Sequence, residues 1–183
     1  MLKAAPWSPI LVLELNMSTS TATDPDSEES IGNTGRVDHA VTEIFATMLG
    51  LSCAVAHDSH DSHYRQTAAI NISATILFSG WMEGDCVLQM PPSAARRLTG
   101  ALLGAEGAWG DEMLDDAVGE LCNMVAGRWK SSLGLAARCH LAAPAVSRGV
   151  ARESLDLESL GRITMRRVYR FDGSVFELKL TVR

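Results

Sequence analysis

Glu120-Leu121-Cys122-Asn123-Met124-Val125-Ala126-Gly127 lies without gaps over an earlier segment, Glu43-Ile44-Phe45-Ala46-Thr47-Met48-Leu49-Gly50. Both segments read as amphipathic helix ending at a glycine, and alternating strands with a Gly-containing hairpin turn follow each one. The two identities, Glu and Gly, carry little alone. The shared order of helix and then hairpin makes them the mark of an internal repeat. The fold class that follows is α/β of the α+β kind, with an internal pseudo-twofold repeat. Antiparallel strands carry two long helices packed on the sheet, so both halves bury their apolar stripes.

Outward from these segments the periodicities are clear. Val37, Val41, Ile44, Phe45 and Met48 recur at helical spacing up to Gly50. Residues 69–79 alternate, with Ile70, Ile72, Ala74, Ile76 and Phe78 on one side and Asn71, Ser73, Thr75 and Ser79 on the other. That is a half-buried strand, and a turn at Glu83-Gly84-Asp85 leads to its partner through Cys86, Leu88 and Met90. Pro91-Pro92-Ser93 opens a helix that runs to Gly104. Asp111 is expected to cap a helix extending to about Trp129, with Glu112, Asp115 and Asp116 complementing its dipole. A strand is expected after Pro144, then a hairpin turning at Asp172-Gly173, the pair a type I′ turn favours.

With 183 residues, 46% of them hydrophobic and 21% charged, the chain can bury a core without metal or disulfide. Cys53, Cys86, Cys122 and Cys139 form no CxxC pair and read as reduced core thiols. A net charge of −6 argues against nucleic acid or an anionic membrane as main partner. Arg162, Arg166, Arg167 and Arg170 could serve an acidic partner, but such arginines more often solvate an exposed strand face. Residues 1–36 read as a disordered leader before a domain at 37–183. Pro9–Leu15 is too short to span a membrane, is broken by Glu14 and makes a poor signal peptide, while the reduced cysteines make a cytoplasmic location the default expectation. Met17 resembles a natural start, which makes 1–16 an upstream extension.

On a helical wheel, Leu114, Val118, Leu121 and Val125 form the core stripe of the second long helix. Asp116, Glu120 and Asn123 stand opposite, at i, i+4 and i+7, and form one exposed ridge. Gly119 and Gly127 flank it, each at a helix-propensity cost of about 1 kcal/mol, and leave room for a partner's backbone. Polar residues on an outward helix face are ordinary, so spacing alone leaves a solvated face and a functional ridge both open. The ridge offers no nucleophile, and an exposed Glu is a weak base. Such a set suits a substrate already primed to hydrolyse, such as an aspartyl phosphate, where a carboxamide need only hold water in line. A carboxylate beside it can pair with a partner's lysine.

Asp116-Ala117-Val118-Gly119-Glu120-Leu121-Cys122-Asn123, followed downstream by Pro144, resembles the signature of the CheX/CheC/FliY chemotaxis phosphatases, specifically the CheX type. Glu43–Gly50 is similar to the first helix of that family, as is Phe78-Ser79-Gly80 leading to Gly84 and Val87. The resemblance covers residues 37–183 and implies a CheC-like fold. It implies that Glu120 docks on the active-site lysine of a phosphorylated CheY-like response regulator and that Asn123 orients the attacking water. Asp116 and Pro144 are supporting positions. Mg2+ is expected in the partner's receiver domain, with no metal or cofactor in this chain. Ala46 stands where the first helix would need Asn, so one active helix per chain and a homodimer are implied. Trp129 reads as a core anchor. Two alternatives stay open: a non-catalytic module binding a receiver domain or a flagellar or signalling assembly, and a metal-dependent hydrolase using His57, His60 and His63, which otherwise read as a solvated loop.

Overall fold

Alternation along residues 71–80 sends Ile72, Ala74, Ile76 and Phe78 to one buried face of a sheet, as their spacing predicts. The computed structural model describes residues 32–56, 71–149 and 163–183. The elements in chain order are α1 (Thr34–Met48), β1 (Cys53–Val55), β2 (Asn71–Gly80), β3 (Gly84–Met90), α2 (Pro92–Leu103), α3 (Asp111–Ser132), β4 (Cys139–Leu141), β5 (Ala145–Gly149), β6 (Ile163–Phe171) and β7 (Ser174–Val182). Most of the leader, the His57-His60-His63 loop, Ile70 and Arg162 lie outside the described residues.

Each strand pair is antiparallel, and the order is β1-β6-β7-β3-β2-β4, with β5 also on β2. Read outward from the central β7–β3 pair, the order is symmetric. One side runs β7, β6, β1; the other runs β3, β2 and the β4–β5 edge. The first half of the chain supplies β1, β2 and β3, and the second supplies the rest. The short strand of each half therefore completes the hairpin of the other, and the internal repeat becomes a pseudo-twofold sheet. The β6–β7 hairpin turns at Asp172 and Gly173, both at positive φ (43° and 69°), which is the type I′ turn expected there.

The helices cover one face. Phe45 of α1 lies almost parallel to Phe176, with ring centroids 5.4 Å apart, and meets Phe171 at 5.0 Å. The Tyr169 hydroxyl donates to Asp38 Oδ1 at 2.8 Å, fastening α1 to β6. In α3 the expected stripe of Leu114, Val118, Leu121 and Val125 is buried, joined by Ala117, Cys122, Ala126 and Trp129. Trp129 is fully buried beside Phe78, 5.7 Å between rings, which makes it the core anchor its sequence context implied. The Cys122 thiol sits 3.6 Å from the Ala74 carbonyl and 3.7 Å from that of Cys86. All four cysteines are free. The Cys122 thiol beside Cys86, together with burial, pushes the Cys86 thiol up, and burial pushes Cys53 to about 12.

Three local expectations are corrected. Gly110, not Asp111, is the N-cap of α3; Asp111 sits inside the first turn with Glu112. The helix also runs past Trp129 to Ser132. Arg167 points toward the helices, its Nε 3.4 Å from Asp38 Oδ1, whereas Arg166 pairs across strands with Glu177, itself buried, rather than only with solvent.

Trp129→Ala should cost about 3–5 kcal/mol of folding stability, because a large fully buried ring leaves a cavity at the helix–sheet contact. Urea denaturation followed by circular dichroism measures it.

Candidate functional site

Because α3 buries one side against β2 and β3, its opposite side must face solvent. Asp116 and Glu120 are exposed there and Asn123 is half-buried. Among the described residues no hydrogen bond or ion pair holds any of the three side chains. The ridge read from the sequence is therefore present, with its polar groups uncommitted among the described residues.

One flank of the ridge is occupied by the chain itself. Along the β4–β5 edge, every second residue faces α3. An ideal Cβ on Gly119 would stand 3.4 Å from Pro144 Cγ and 3.3 Å from Val146 Cγ2. Two residues on, Arg148 bonds Asp115 Oδ1 at 2.8 Å and the Asp111 carbonyl at 2.7 Å, and its other terminal nitrogen reaches Asp111 Oδ1 at 2.9 Å. Gly119 is thus buried under Pro144 and Val146. Its missing side chain admits this edge rather than a partner's backbone, which corrects the sequence expectation for that glycine. The same contact gives Pro144 a structural job: it seats the β4–β5 corner on the helix. Gly127 remains half-buried, with Leu141 Cδ1 3.9 Å from where its Cβ would be.

The corresponding helix of the first half is differently equipped. Glu43 accepts two hydrogen bonds from Arg128, Nε to Oε2 at 2.6 Å and Nη2 to Oε1 at 2.8 Å. That guanidinium holds the Glu43 carboxyl below its ordinary range. The carboxylate that matches Glu120 is engaged within the chain, and Ala46 offers no amide. Sequence reading missed Arg128 and Arg148 as partners because each pair joins residues distant in the chain. The alternation Pro144-x-Val146-x-Arg148 was the available signal for the second.

The arrangement can bind a cation through Glu120 and orient a polar molecule through the Asn123 amide. Among the described residues no group of three or more His, Cys, Asp or Glu side chains converges as metal ligands would. No described helix is long and apolar enough to cross a membrane.

Residues 72–164 match the family described as chemotaxis phosphatase CheX. No curated protein matches the chain by sequence. Among solved structures, the chain is similar to the chemotaxis protein CheX from Vibrio vulnificus, with a TM-score of 0.63 at 17% identity, covering 81% of this chain and 95% of that one. It is similar to the CheX–CheY–BeF3–Mg2+ complex from Borrelia burgdorferi, with a TM-score of 0.53 at 17% identity over 82% and 97%. Thermotoga maritima FliY follows the same fold, with a TM-score of 0.57 at 16% identity over 82% and 87%. At these identities the structural likeness establishes the fold alone.

Gly119→Leu should destabilise the protein by about 1–3 kcal/mol, since the new side chain must displace Pro144 and Val146 or strain the helix. Chemical denaturation against the wild type gives the value.

Proposed function

The chain belongs to the CheX family of chemotaxis phosphatases, and on that footing we propose that the α3 ridge hydrolyses the aspartyl phosphate of a CheY-like response regulator in the cytoplasm. The carrying observation is that Glu120 and Asn123 lie one helical turn apart on an exposed strip, unpaired among the described residues, while Glu43 is tied to Arg128.

In this reading Glu120 pairs with the lysine of the regulator's active site, a charge-assisted contact that fixes the docking register. Asn123 then enters that site, and its carboxamide oxygen accepts a hydrogen bond from water, aligning the water oxygen with phosphorus. The P–O bond to water forms as the P–O bond to the aspartyl carboxylate breaks, releasing inorganic phosphate and restoring the carboxylate. Mg2+ belongs to the regulator, where it neutralises charge on the transferring group. Asp116 lies on the same strip and adds negative charge beside the docking carboxylate. Two copies meet through the helix-free face of the sheet, where Leu77 is 57% exposed on the β2 strand.

Decay of a phosphorylated CheY-type receiver tests the reading. Wild-type protein should accelerate it, Asn123→Ala should return it to the receiver's own rate while still binding, and Glu120→Ala should weaken binding by about 2 kcal/mol, roughly thirtyfold. Equal rates with wild type and Asn123→Ala would remove the catalytic claim. Binding without acceleration by the wild type would instead mark an adaptor module. Leu77→Asp should convert a dimer to a monomer in sedimentation equilibrium.

A further inference from the structure

We propose that Met113 is a specificity-determining anchor for the receiver domain, taking an apolar side chain of the partner beside the basic group that Glu120 engages. The inference rests on the function proposed above and deepens it, since it concerns the same helix face.

Two observations carry it: the sorting of apolar surface and the sorting of charge around α3. At ~100° per residue, Met113 and Gly119 lie roughly 60° to either side of the Asp116 meridian. The Gly119 flank is closed by Pro144 and Val146. On the other flank the Met113 side chain is 44% exposed near the N-terminal end of α3, while farther along Arg128 is tied to Glu43 of α1. The other large exposed apolar residues among those described are Met48, Leu77, Trp81 and Leu103, and none of them lies on α3. Among the described residues Met113 is the large apolar side chain of α3 that is mainly exposed beside Asp116, Glu120 and Asn123, whereas Met124 on the same flank is half-buried against the core.

Charge divides along the same line. Asp111 and Asp115, on the closed flank, are both bound by Arg148. Glu112 and Asp116, between the two flanks, and Glu120, toward Met113, are exposed and have no hydrogen bond or ion pair among the described residues. Among the described residues the strip is thus acid without a paired base, with an unbranched thioether at its border. A partner complementary to it carries a basic centre flanked by an apolar side chain. Methionine suits that border: it is enriched at interface centres, and its three torsions adapt to a partner's shape.

The test uses the full chain, a CheY-type receiver loaded with beryllofluoride and Mg2+ for binding, and the phosphorylated receiver for turnover. Met113→Glu should raise Kd and KM together, roughly tenfold or more, with kcat within about twofold. Met113→Leu should restore both constants, whereas Met48→Glu and Leu103→Glu, at more exposed residues off the strip, should leave them unchanged. An effect of Met113→Glu no larger than that of Met48→Glu, or one on kcat alone, would overturn the proposal. If Asn123→Ala turns over as fast as wild type, the hydrolytic reading falls while the Kd series still decides the role of Met113. A wild-type protein that does not bind the receiver overturns both.

Discussion

The buried side of α3 is the contact on which everything else in the fold depends. Leu114, Val118, Leu121, Cys122, Val125 and Trp129 fill the space above β2 and β3 completely, and the Cys122 thiol rests directly on the sheet backbone. Close packing of that kind leaves a helix no freedom to rotate about its axis, because a turn of one residue would carry Asp116 or Glu120 into the core. The outward direction of the ridge is therefore fixed by residues that never meet a partner. The β4–β5 edge adds the lateral constraint. Pro144 and Val146 fit the notch at Gly119, and Arg148 clamps the N-terminal turn to β5.

The pseudo-twofold sheet makes the two halves near-equivalents in frame and unequal in equipment. Both long helices place a glutamate at the matched position, but they spend it differently. Glu43 closes a two-pronged ion pair with Arg128 from the opposite helix, so it contributes to the contact between halves. Glu120 is left to solvent, with Asn123 beside it. A carboxylate already satisfied by a guanidinium has little to gain from a partner's lysine, and Ala46 has no group with which to orient water. The asymmetry is thus expressed in hydrogen bonding as well as in residue type.

Much of this was legible because the signals were local. The alternation of β2, the glycine turns, the Asp172-Gly173 hairpin and the wheel of α3 each depend on neighbours within a few residues, where side-chain period and backbone preference act alone. The short strands β1 and β4 were missed: three residues make no periodic pattern, and they exist only because a hairpin from the other half offers an edge. The cap of α3 was misplaced by one residue, since Gly110 and Asp111 are both acceptable caps and the path of the incoming loop decides between them. Gly119 was rightly flagged as costly within a helix, but its reason lay in Pro144 and Val146, brought to it by strand pairing rather than by sequence. The ridge itself was read correctly as geometry; the roles of its residues came from the family pattern.

Chemistry this spare places unusual weight on shape. A ridge with two carboxylates and one carboxamide supplies no nucleophile, and in the proposed reaction a substrate that carries its own metal and activated acyl phosphate would require none. What the protein would supply in that reaction is position, and an error of about 1 Å in the placement of water can cost a hundredfold in rate. A long surface helix with a glutamate and an asparagine is common; one whose rotation is set by a buried core stripe and whose flank is filled by its own strand is far more restricted. The paired acids on the closed flank serve the same end, since Arg148 neutralises Asp111 and Asp115 and leaves Glu112, Asp116 and Glu120 to define the field a partner meets. The fold thus turns an ordinary amphipathic helix into a rigid, one-sided acidic edge, and that rigidity is the property on which water-positioning catalysis by Asn123 would rely.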